Sequence, residues 1–307
     1  ALQVYQFNYY HNKVYHKFCT YLGKDQHNVK EILDIPFLPI EFFKSKNVVS
    51  NTEKIQATFT SSGTTGNNTS SHHVTDLKIY EQSYITCFEQ FYGAIEDLCI
   101  LALLPSYLER QGSSLVYMVD DLIQKSKHPD SGFYLHDFDA LRVKLELLHT
   151  SGSKVLLIGV SFALLDFAEK YDLNLSNTII METGGMKGRR KEMVREELHE
   201  ILKAGFGVST IHSEYGMTEL LSQAYSKGSG IFNTPSWMKV LIRDTEDPLS
   251  LQPNGKTGGL NIIDLANINS CSFIATQDLG KRYEDGSFKI LGRFDHSDIR
   301  GCNLMIM

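Results

Sequence analysis

Between Leu77 and His212 the chain alternates short apolar runs with segments whose apolar residues recur at helical spacing, and no other feature constrains its fold as much. Leu77, Tyr80, Tyr84, Cys87, Phe88, Phe91 and Ile95 mark one face of a helix that Thr75-Asp76 would cap, and the apolar run Cys99 to Leu104 follows as a buried strand. The pattern then predicts helices near Ser114 to Lys125 and Asp137 to His149, a strand over Lys154 to Val160 and a helix near Ser161 to Tyr171. It continues with a strand over Thr178 to Met181, a helix near Arg189 to Lys203 and a strand over Val208 to His212. Short apolar strands separated by amphipathic helices indicate an α/β fold with a mainly parallel sheet covered on both faces.

Residues 1 to about 55 read as an aromatic-rich, mainly helical lead-in that ends where Pro36 and Pro39 break regular structure. After about Ser222 the pattern turns to short β-like segments at Met238 to Arg243, Gly259 to Asp264, Ser272 to Thr276 and Ser287 to Leu291. Pro253-Asn254-Gly255 and Asp285-Gly286 supply turn signals between them. The expected organisation is an α/β part over 1–221 and a β-rich lobe over 222–307, with no repeat, low-complexity tract or long linker.

Composition narrows the function. With 42% hydrophobic and 21% charged residues, the 307-residue chain can bury a substantial core, which excludes an intrinsically disordered protein. Thirty basic against 36 acidic side chains give a net charge of −6, so nucleic acid is not an expected partner and any phosphate-bearing ligand must be held locally. The five cysteines, Cys19, Cys87, Cys99, Cys271 and Cys302, are odd in number and contain no C-x-x-C. They indicate reduced thiols in a cytoplasm rather than a disulfide framework or a zinc cluster. The longest wholly apolar runs, Leu98 to Leu104 and Val155 to Ile158, fall far short of the ~20 residues of a membrane span. No secretory signal is readable at the N-terminus, so a soluble, cytoplasmic protein is expected.

Two segments carry the chemistry. In Thr60-Ser61-Ser62-Gly63-Thr64-Thr65-Gly66 the glycines let backbone N–H groups turn toward an anion and the hydroxyls add donors, so the loop can wrap phosphate oxygens without net charge. No Gly-Lys-Ser/Thr follows, so it is not a Walker loop, and by composition alone it equally fits a polar surface loop. The second segment, His212-Ser213-Glu214-Tyr215-Gly216-Met217-Thr218-Glu219, begins at a predicted strand end, where ligands of α/β sheets collect. There Tyr215 could stack on a ring, Thr218 could bond a phosphate and Glu219 could ligate Mg²⁺. Alone, Glu219 fits a solvated loop carboxylate better than a metal ligand; beside the first loop the metal role is favoured.

Together with Thr276-Gln277-Asp278-Leu279-Gly280 and Gly292-Arg293-Phe294-Asp295, these segments stand in the order and approximate spacing of the adenylate-forming (acyl-activating) enzyme superfamily, which the chain resembles over residues 60–304. The region before the first loop resembles the phenylacetate-CoA ligase branch. The ending Asp298-Ile299-Arg300-Gly301-Cys302-Asn303-Leu304 is similar to the acyl-protein synthetases of bacterial bioluminescence operons. The resemblance implies condensation of a carboxylic acid, in that branch a fatty acid, with ATP to an acyl-adenylate, release of pyrophosphate, and acyl transfer to a thiol. It implies that Ser61, Ser62, Gly63, Thr64, Thr65 and Gly66 cradle the β/γ-phosphates and that Thr183, Gly184 and Gly185 lie against adenine. Tyr215, followed by Gly216, would stack on the base, Thr218 would touch the α-phosphate and Glu219 would hold Mg²⁺. Asp278 would bind the ribose hydroxyls, with Arg293 as a basic ribose contact, and an acyl acceptor or reductase protein would be a partner.

The chain departs from the family's pattern in two ways. Asn67-Asn68 stand where many members carry a lysine, and nothing follows Met307, so the mobile C-terminal lobe with its lysine is expected to be absent. The resemblance to the acyl-protein synthetases also implies that Cys302, close to the end of the sequence, is the internal acyl acceptor; an adjacent guanidinium from Arg300 would favour its thiolate, while by residue type alone it equally fits a small buried hydrophobe. The competing readings are a CoA or carrier-protein ligase, a non-catalytic nucleotide-binding module, and an esterase built on Gly159-Val160-Ser161-Phe162-Ala163 with Ser161 as nucleophile. Lys187-Gly188-Arg189-Arg190-Lys191 reads as a solvated helix start, and His72-His73 and His212 show no metal-ligand spacing.

Overall fold

The computed structural model describes residues 1–50, 54–61, 69–105, 109–184 and 193–294. The chain begins with helices α1 (Leu2–His11) and α2 (Lys13–Tyr21), the short strand β1 (Leu38–Pro39) and helix α3 (Phe42–Ser45). A hairpin of β2 (Ala57–Thr60) and β3 (Ser71–Val74) follows, then α4 (Leu77–Tyr92), β4 (Cys99–Leu103), α5 (Ser114–Ser126), β5 (Gly132–Phe133) and α6 (Phe138–Thr150). Next come β6 (Val155–Val160), α7 (Ser161–Lys170), β7 (Thr178–Thr183), α8 (Arg195–Phe206) and β8 (His212–Tyr215). The remaining strands are β9 (Ala224–Ser226), β10 (Ile231–Asn233), β11 (Met238–Arg243), β12 (Thr257–Asp264), β13 (Phe273–Arg282) and β14 (Phe288–Arg293). No helix among the described residues is long and apolar enough to cross a membrane.

Two compact units emerge: residues 54–235, and residues 1–53 together with 236–307. In the first, strands run in the order β10-β9-β8-β7-β6-β4-β5. The five strands from β8 to β5 are parallel, whereas β9 and β10 are antiparallel additions. Every residue of β4 and β6 is buried, which requires cover on both sheet faces and accounts for their unbroken apolar sequences. Local chemistry sets the helix ends. The Asp76 side chain accepts the Lys78 N–H at the start of α4, and Asp137 accepts the Ala140 N–H at the start of α6. Helix α8 stops at Gly207 in the left-handed region, where a Cβ would lie 2.4 Å from the Leu173 carbonyl oxygen. Parallel stacking of Phe167 on Phe206, 5.7 Å between centroids, joins α7 to α8.

The second unit is an antiparallel meander, β11-β12-β13-β14, with β1 running parallel to β13 at Leu38↔Ile274. The N-terminal helices are stitched to it by buried amides. Asn8 donates to the Ile268 carbonyl at 2.7 Å and accepts the Ser272 N–H at 2.9 Å, and Asn12 donates to the Ser270 carbonyl at 2.8 Å. Tyr15 lies nearly parallel to Phe273, 6.0 Å away, and Phe37 meets the same ring edge-on.

This division differs from the 221/222 boundary read from the sequence. β9 and β10 continue the sheet of β8 through Ser213↔Ser226 and Phe232↔Ser226, so residues 222–235 fold with the parallel strands. The strand expected at Val208 to His212 instead occupies His212–Tyr215. Its place is set by β7, which runs on to Thr183 and pairs Met181↔His212 and Thr183↔Glu214, leaving buried Val208 and Ile211 in the connection. The helix expected from near Arg189 begins instead at Arg195, after Val194 in an extended conformation, and runs to Phe206.

Candidate functional site

In the unit formed by residues 54–235, strands β6, β7 and β8 end side by side. The pairs Val160↔Thr183 and Thr183↔Glu214 bring Ser161, Thr183-Gly184 and Tyr215-Gly216 to one carboxyl edge of the sheet, the location where α/β sheets bind ligands. Hydrogen bonds fix this edge. Thr183 Oγ1 donates to Glu214 Oε2 at 2.5 Å, and Ser161 Oγ donates to the Gly184 carbonyl at 2.9 Å. Gly184 leaves β7 in the left-handed region, with φ of 69°. A Cβ on Gly216 would lie 2.5 Å from Glu214 Oε1, so the residue after Tyr215 must be small for the carboxylate to fold back against it. Tyr215 is 8% exposed and meets Phe232 at 6.1 Å and 65°, while the Arg195 guanidinium lies 5.0 Å from the Phe232 centroid.

The Thr218-Glu219 pair follows β8, with Glu219 buried. Its position is tied to the other chemical segment by a residue that sequence reasoning set aside. His72 on β3 is fully buried, and its Nδ1 stands 2.8 Å from the Thr218 carbonyl oxygen. A carbonyl only accepts, so Nδ1 carries the proton. The β2–β3 hairpin, paired Thr60↔Ser71, flanks the Ser/Thr/Gly loop. At its base Ser61 N–H donates to the Ser70 carbonyl at 3.1 Å, and the Ser61 hydroxyl accepts the Ser70 N–H at 2.9 Å. Ser61 therefore closes the root of the loop. Ser62, Gly63, Thr64, Thr65 and Gly66 lie outside the described residues, as do Gly185, the Lys187 to Lys191 run and Cys302. The signal that could have found His72 is the alternating burial of β3, which turns His72 and Val74 inward and Ser71 and His73 outward.

In the unit of residues 1–53 and 236–307, Asp278 and Arg293 face each other across β13 and β14, with Nε and Oδ1 3.2 Å apart. Asp278 is nearly buried and Arg293 is 72% exposed, so the carboxylate is fixed and the guanidinium reaches solvent. Arg243 was not singled out by the sequence. Its guanidinium donates to the carbonyls of Leu260 and Thr276 and to Asn261 Oδ1, beneath the Phe294 ring. Gly259 makes room for it, since a Cβ there would lie 2.4 Å from Arg243 Cζ. Burial lowers the Arg243 pKa from its ordinary value, opposed by the charges of Glu41 and Asp278.

The remaining candidates have other roles. The Ser161 hydroxyl is buried and committed to Gly184, which does not suit a nucleophile. His212 Nδ1 lies 3.2 Å from the Tyr92 hydroxyl, and burial, aided by Lys227, pushes its pKa down to about 4, so its ring is neutral near pH 7. Cys19, Cys87, Cys99 and Cys271 are all buried; desolvation raises the Cys19 thiol to about 12 and Cys99 to about 11. No group of three or more metal-ligating side chains occurs among the described residues. A buried carboxylate such as Glu219 is of the type that suits Mg²⁺, which takes one or two protein carboxylates and fills its remaining positions with phosphate oxygens and water.

Comparison with known proteins adds a second line of observation. A family model described as acyl-protein synthetase, LuxE, matches residues 1–85. The long-chain-fatty-acid--luciferin-component ligase of Vibrio harveyi is 22% identical to this chain, over 98% of it and 84% of the relative. ATP-bound MatB from Rhodopseudomonas palustris superposes with a TM-score of 0.58 at 18% identity, covering 79% of this chain, which spans about half (49%) of MatB's length. An open conformation of 2-hydroxyisobutyryl-CoA ligase, in complex with 2-HIB-AMP and CoA, gives a TM-score of 0.69 at 13% identity over 96% of this chain and 68% of its own. The structural matches speak to fold, and the family match falls on the N-terminal region that precedes most of the motifs. Taken together, they agree with the resemblance carried by the motifs: this chain has the fold of the adenylate-forming enzymes and is similar to the acyl-protein synthetases.

Proposed function

We propose that this protein condenses a long-chain fatty acid with ATP, forming an acyl-adenylate and pyrophosphate, and then passes the acyl group to a thiol, with AMP as the leaving group. The observation that carries the reading is the partly buried bond from His72 to the Thr218 carbonyl. It joins the hairpin that bears the hydroxyl-rich loop to the Thr218-Glu219 pair, at the sheet edge where Thr183-Gly184 and Tyr215 also end. A phosphate loop, a flat surface for a base and a carboxylate for a cation are the parts that attack at an α-phosphorus requires.

In this reading the substrate carboxylate oxygen attacks the α-phosphorus and pyrophosphate leaves with the electrons of the broken P–O bond. Residues 61–66 hold the β/γ-phosphates through hydroxyl and backbone donors, Thr218 donates to the α-phosphate, and Tyr215 with Thr183-Gly184 flanks the base. Asp278 accepts from the ribose hydroxyls, with Arg293 beside it. Glu219 would hold Mg²⁺, which when bound offsets the charge of the phosphates. The long-chain acid is taken from the name of the Vibrio harveyi relative. Cys302 is the internal acceptor that the resemblance to the acyl-protein synthetases implies, and the burial of Cys19, Cys87, Cys99 and Cys271, which raises the thiol pKa at Cys19 and Cys99, supports this choice. A partner protein that takes on or reduces the acyl group completes the scheme.

The test is acid-dependent exchange of labelled pyrophosphate into ATP, across fatty acids of increasing length and aryl acids, followed by intact-mass spectrometry. Exchange with long-chain acids and an acyl adduct that disappears in Cys302→Ala are expected. No exchange with any acid, and no ATP-induced thermal shift, would refute the adenylation. Thioester formed on added coenzyme A, with no adduct on the protein, would move the acceptor from Cys302 to an external thiol.

A further inference from the structure

Three successive residues at the end of β7 are tied to three different elements. Glu182 Oε1 faces α8, with Arg195 Nε at 3.3 Å and His199 Nε2 at 3.5 Å, while Oε2 lies 3.4 Å from the Ser161 hydroxyl. Thr183 is bonded to Glu214 on β8, and the Gly184 carbonyl to Ser161 at the start of α7. Glu182 is 3% exposed, yet among the described residues its Oε1 accepts no aligned hydrogen bond, and neither Arg195 Nη1 nor His199 Nε2 forms one although both atoms are buried. A buried ion cluster left incompletely bonded is a poor way to add stability, and an apolar replacement of similar shape is often at least as stable. Its value lies in geometry. Arg195, held by Glu182, lies against Phe232, and Phe232 meets Tyr215. One carboxylate thus reaches both Thr183-Gly184, directly along the chain, and Tyr215, through two side chains.

We infer that Glu182 is a positioning residue for the nucleotide base: it holds Thr183-Gly184 and Tyr215 at one spacing and so sets the preference for adenine over other bases. The inference rests on the proposed adenylation, because that reading makes these two segments the walls of the base site. Glu182 touches no reacting atom.

The test compares wild type with Glu182→Gln, which keeps shape and removes charge, Glu182→Asp, which keeps the charge, and Arg195→Met, which keeps length and packing on Phe232. Pyrophosphate exchange is measured against ATP, GTP and acid concentration. In Glu182→Gln and Arg195→Met the KM for ATP is expected to rise about tenfold and the ATP-over-GTP preference to fall, while the KM for the acid stays within about twofold and Glu182→Asp recovers part of the loss. Unchanged KM and base preference in both folded variants would overturn the inference, and so would a parallel rise in both KM values, the mark of a merely structural role. If Glu182→Gln does not fold, Arg195→Met decides the matter alone. If wild type shows no exchange, the proposed reaction fails, and calorimetric titration of ATP and GTP into the same proteins still reads the base preference.

Discussion

Replacing His72 separates the packing of the site from its alignment. His72 is fully buried and donates at 2.8 Å to the Thr218 carbonyl. In His72→Leu the site keeps a side chain of similar bulk but the partly buried carbonyl loses its donor, and an unsatisfied acceptor costs up to about 1–3 kcal/mol. Residues 54–235 unfolding as one unit, at about 2.1 cal/mol/K per residue, correspond to roughly 0.4 kcal/mol per degree, so Tm is expected to drop by about 3–8 °C. Catalysis should suffer more than stability. Thr218 is released from its anchor, and a displacement of about 1 Å in a reacting constellation costs on the order of 10²-fold in rate. His72→Asn supplies the contrast: its side-chain amide can place an N–H where Nδ1 stood, but the rest of the ring is gone. That variant should melt as low as His72→Leu or lower while retaining most of the exchange rate. Differential scanning calorimetry and acid-dependent pyrophosphate exchange give the two axes. A His72→Leu enzyme with wild-type exchange, or a His72→Asn enzyme as slow as His72→Leu, would refute the alignment role.

Other consequences are equally open to measurement. His212 has its pKa lowered by burial from 6.5 to about 4, so the unfolded chain binds the extra proton first. The stability this gives is complete above about pH 6.5 and declines as pH falls toward 4; Tm measured across that window should fall, and His212→Asn should flatten part of the slope. Arg293→Ala should lower Tm by very little, since an ion pair with one partner 72% exposed contributes about 0–1 kcal/mol. Asp278→Asn should erase a preference for ATP over 2′-deoxy-ATP in the exchange assay; a preference that survives would remove Asp278 from the ribose site. At Gly159 an added Cβ would lie 2.8 Å from Leu103 Cβ and 2.9 Å from Leu164 Cγ, so Gly159→Ala should cost about 1–3 kcal/mol by overpacking, read as a lower Tm.

The parallel core was legible because its strands are buried on both faces. β4 and β6 contain nothing but apolar residues and glycine, and their ends came out within a residue or two. β8 was misplaced for the opposite reason. Its sequence His212-Ser213-Glu214-Tyr215 is polar because those side chains serve the sheet edge, and register with β7 rather than hydrophobicity fixes the strand. Asn8 and Asn12 look like surface residues of a helix, and only the fold shows that they saturate carbonyls some 260 positions away. At the site, Thr183, Gly184, Tyr215 and Gly216, singled out from the sequence, are brought by the structure to one edge of the sheet. What the chain could not display linearly is the second layer: His72, Glu182, Arg195 and Phe232 act through contacts whose spacing in sequence is arbitrary.

The interrupted unit also has a bearing on the order of events during synthesis. β1 pairs with Ile274 and Ala275, and Asn8 waits for Ile268 and Ser272, so these long-range contacts of the first fifty residues cannot form until more than two hundred others have left the ribosome. Residues 54–235 form a contiguous unit that needs no such wait. If that unit forms first, it converts an insert whose flexible closure would cost about 4–5 kcal/mol into a structured one, and the late joining of the two ends becomes the easier step. Until then the apolar faces around Tyr5, Tyr15 and Phe37 are exposed, so the interval between translation of residue 50 and of residue 282 is when the nascent protein is most vulnerable to aggregation.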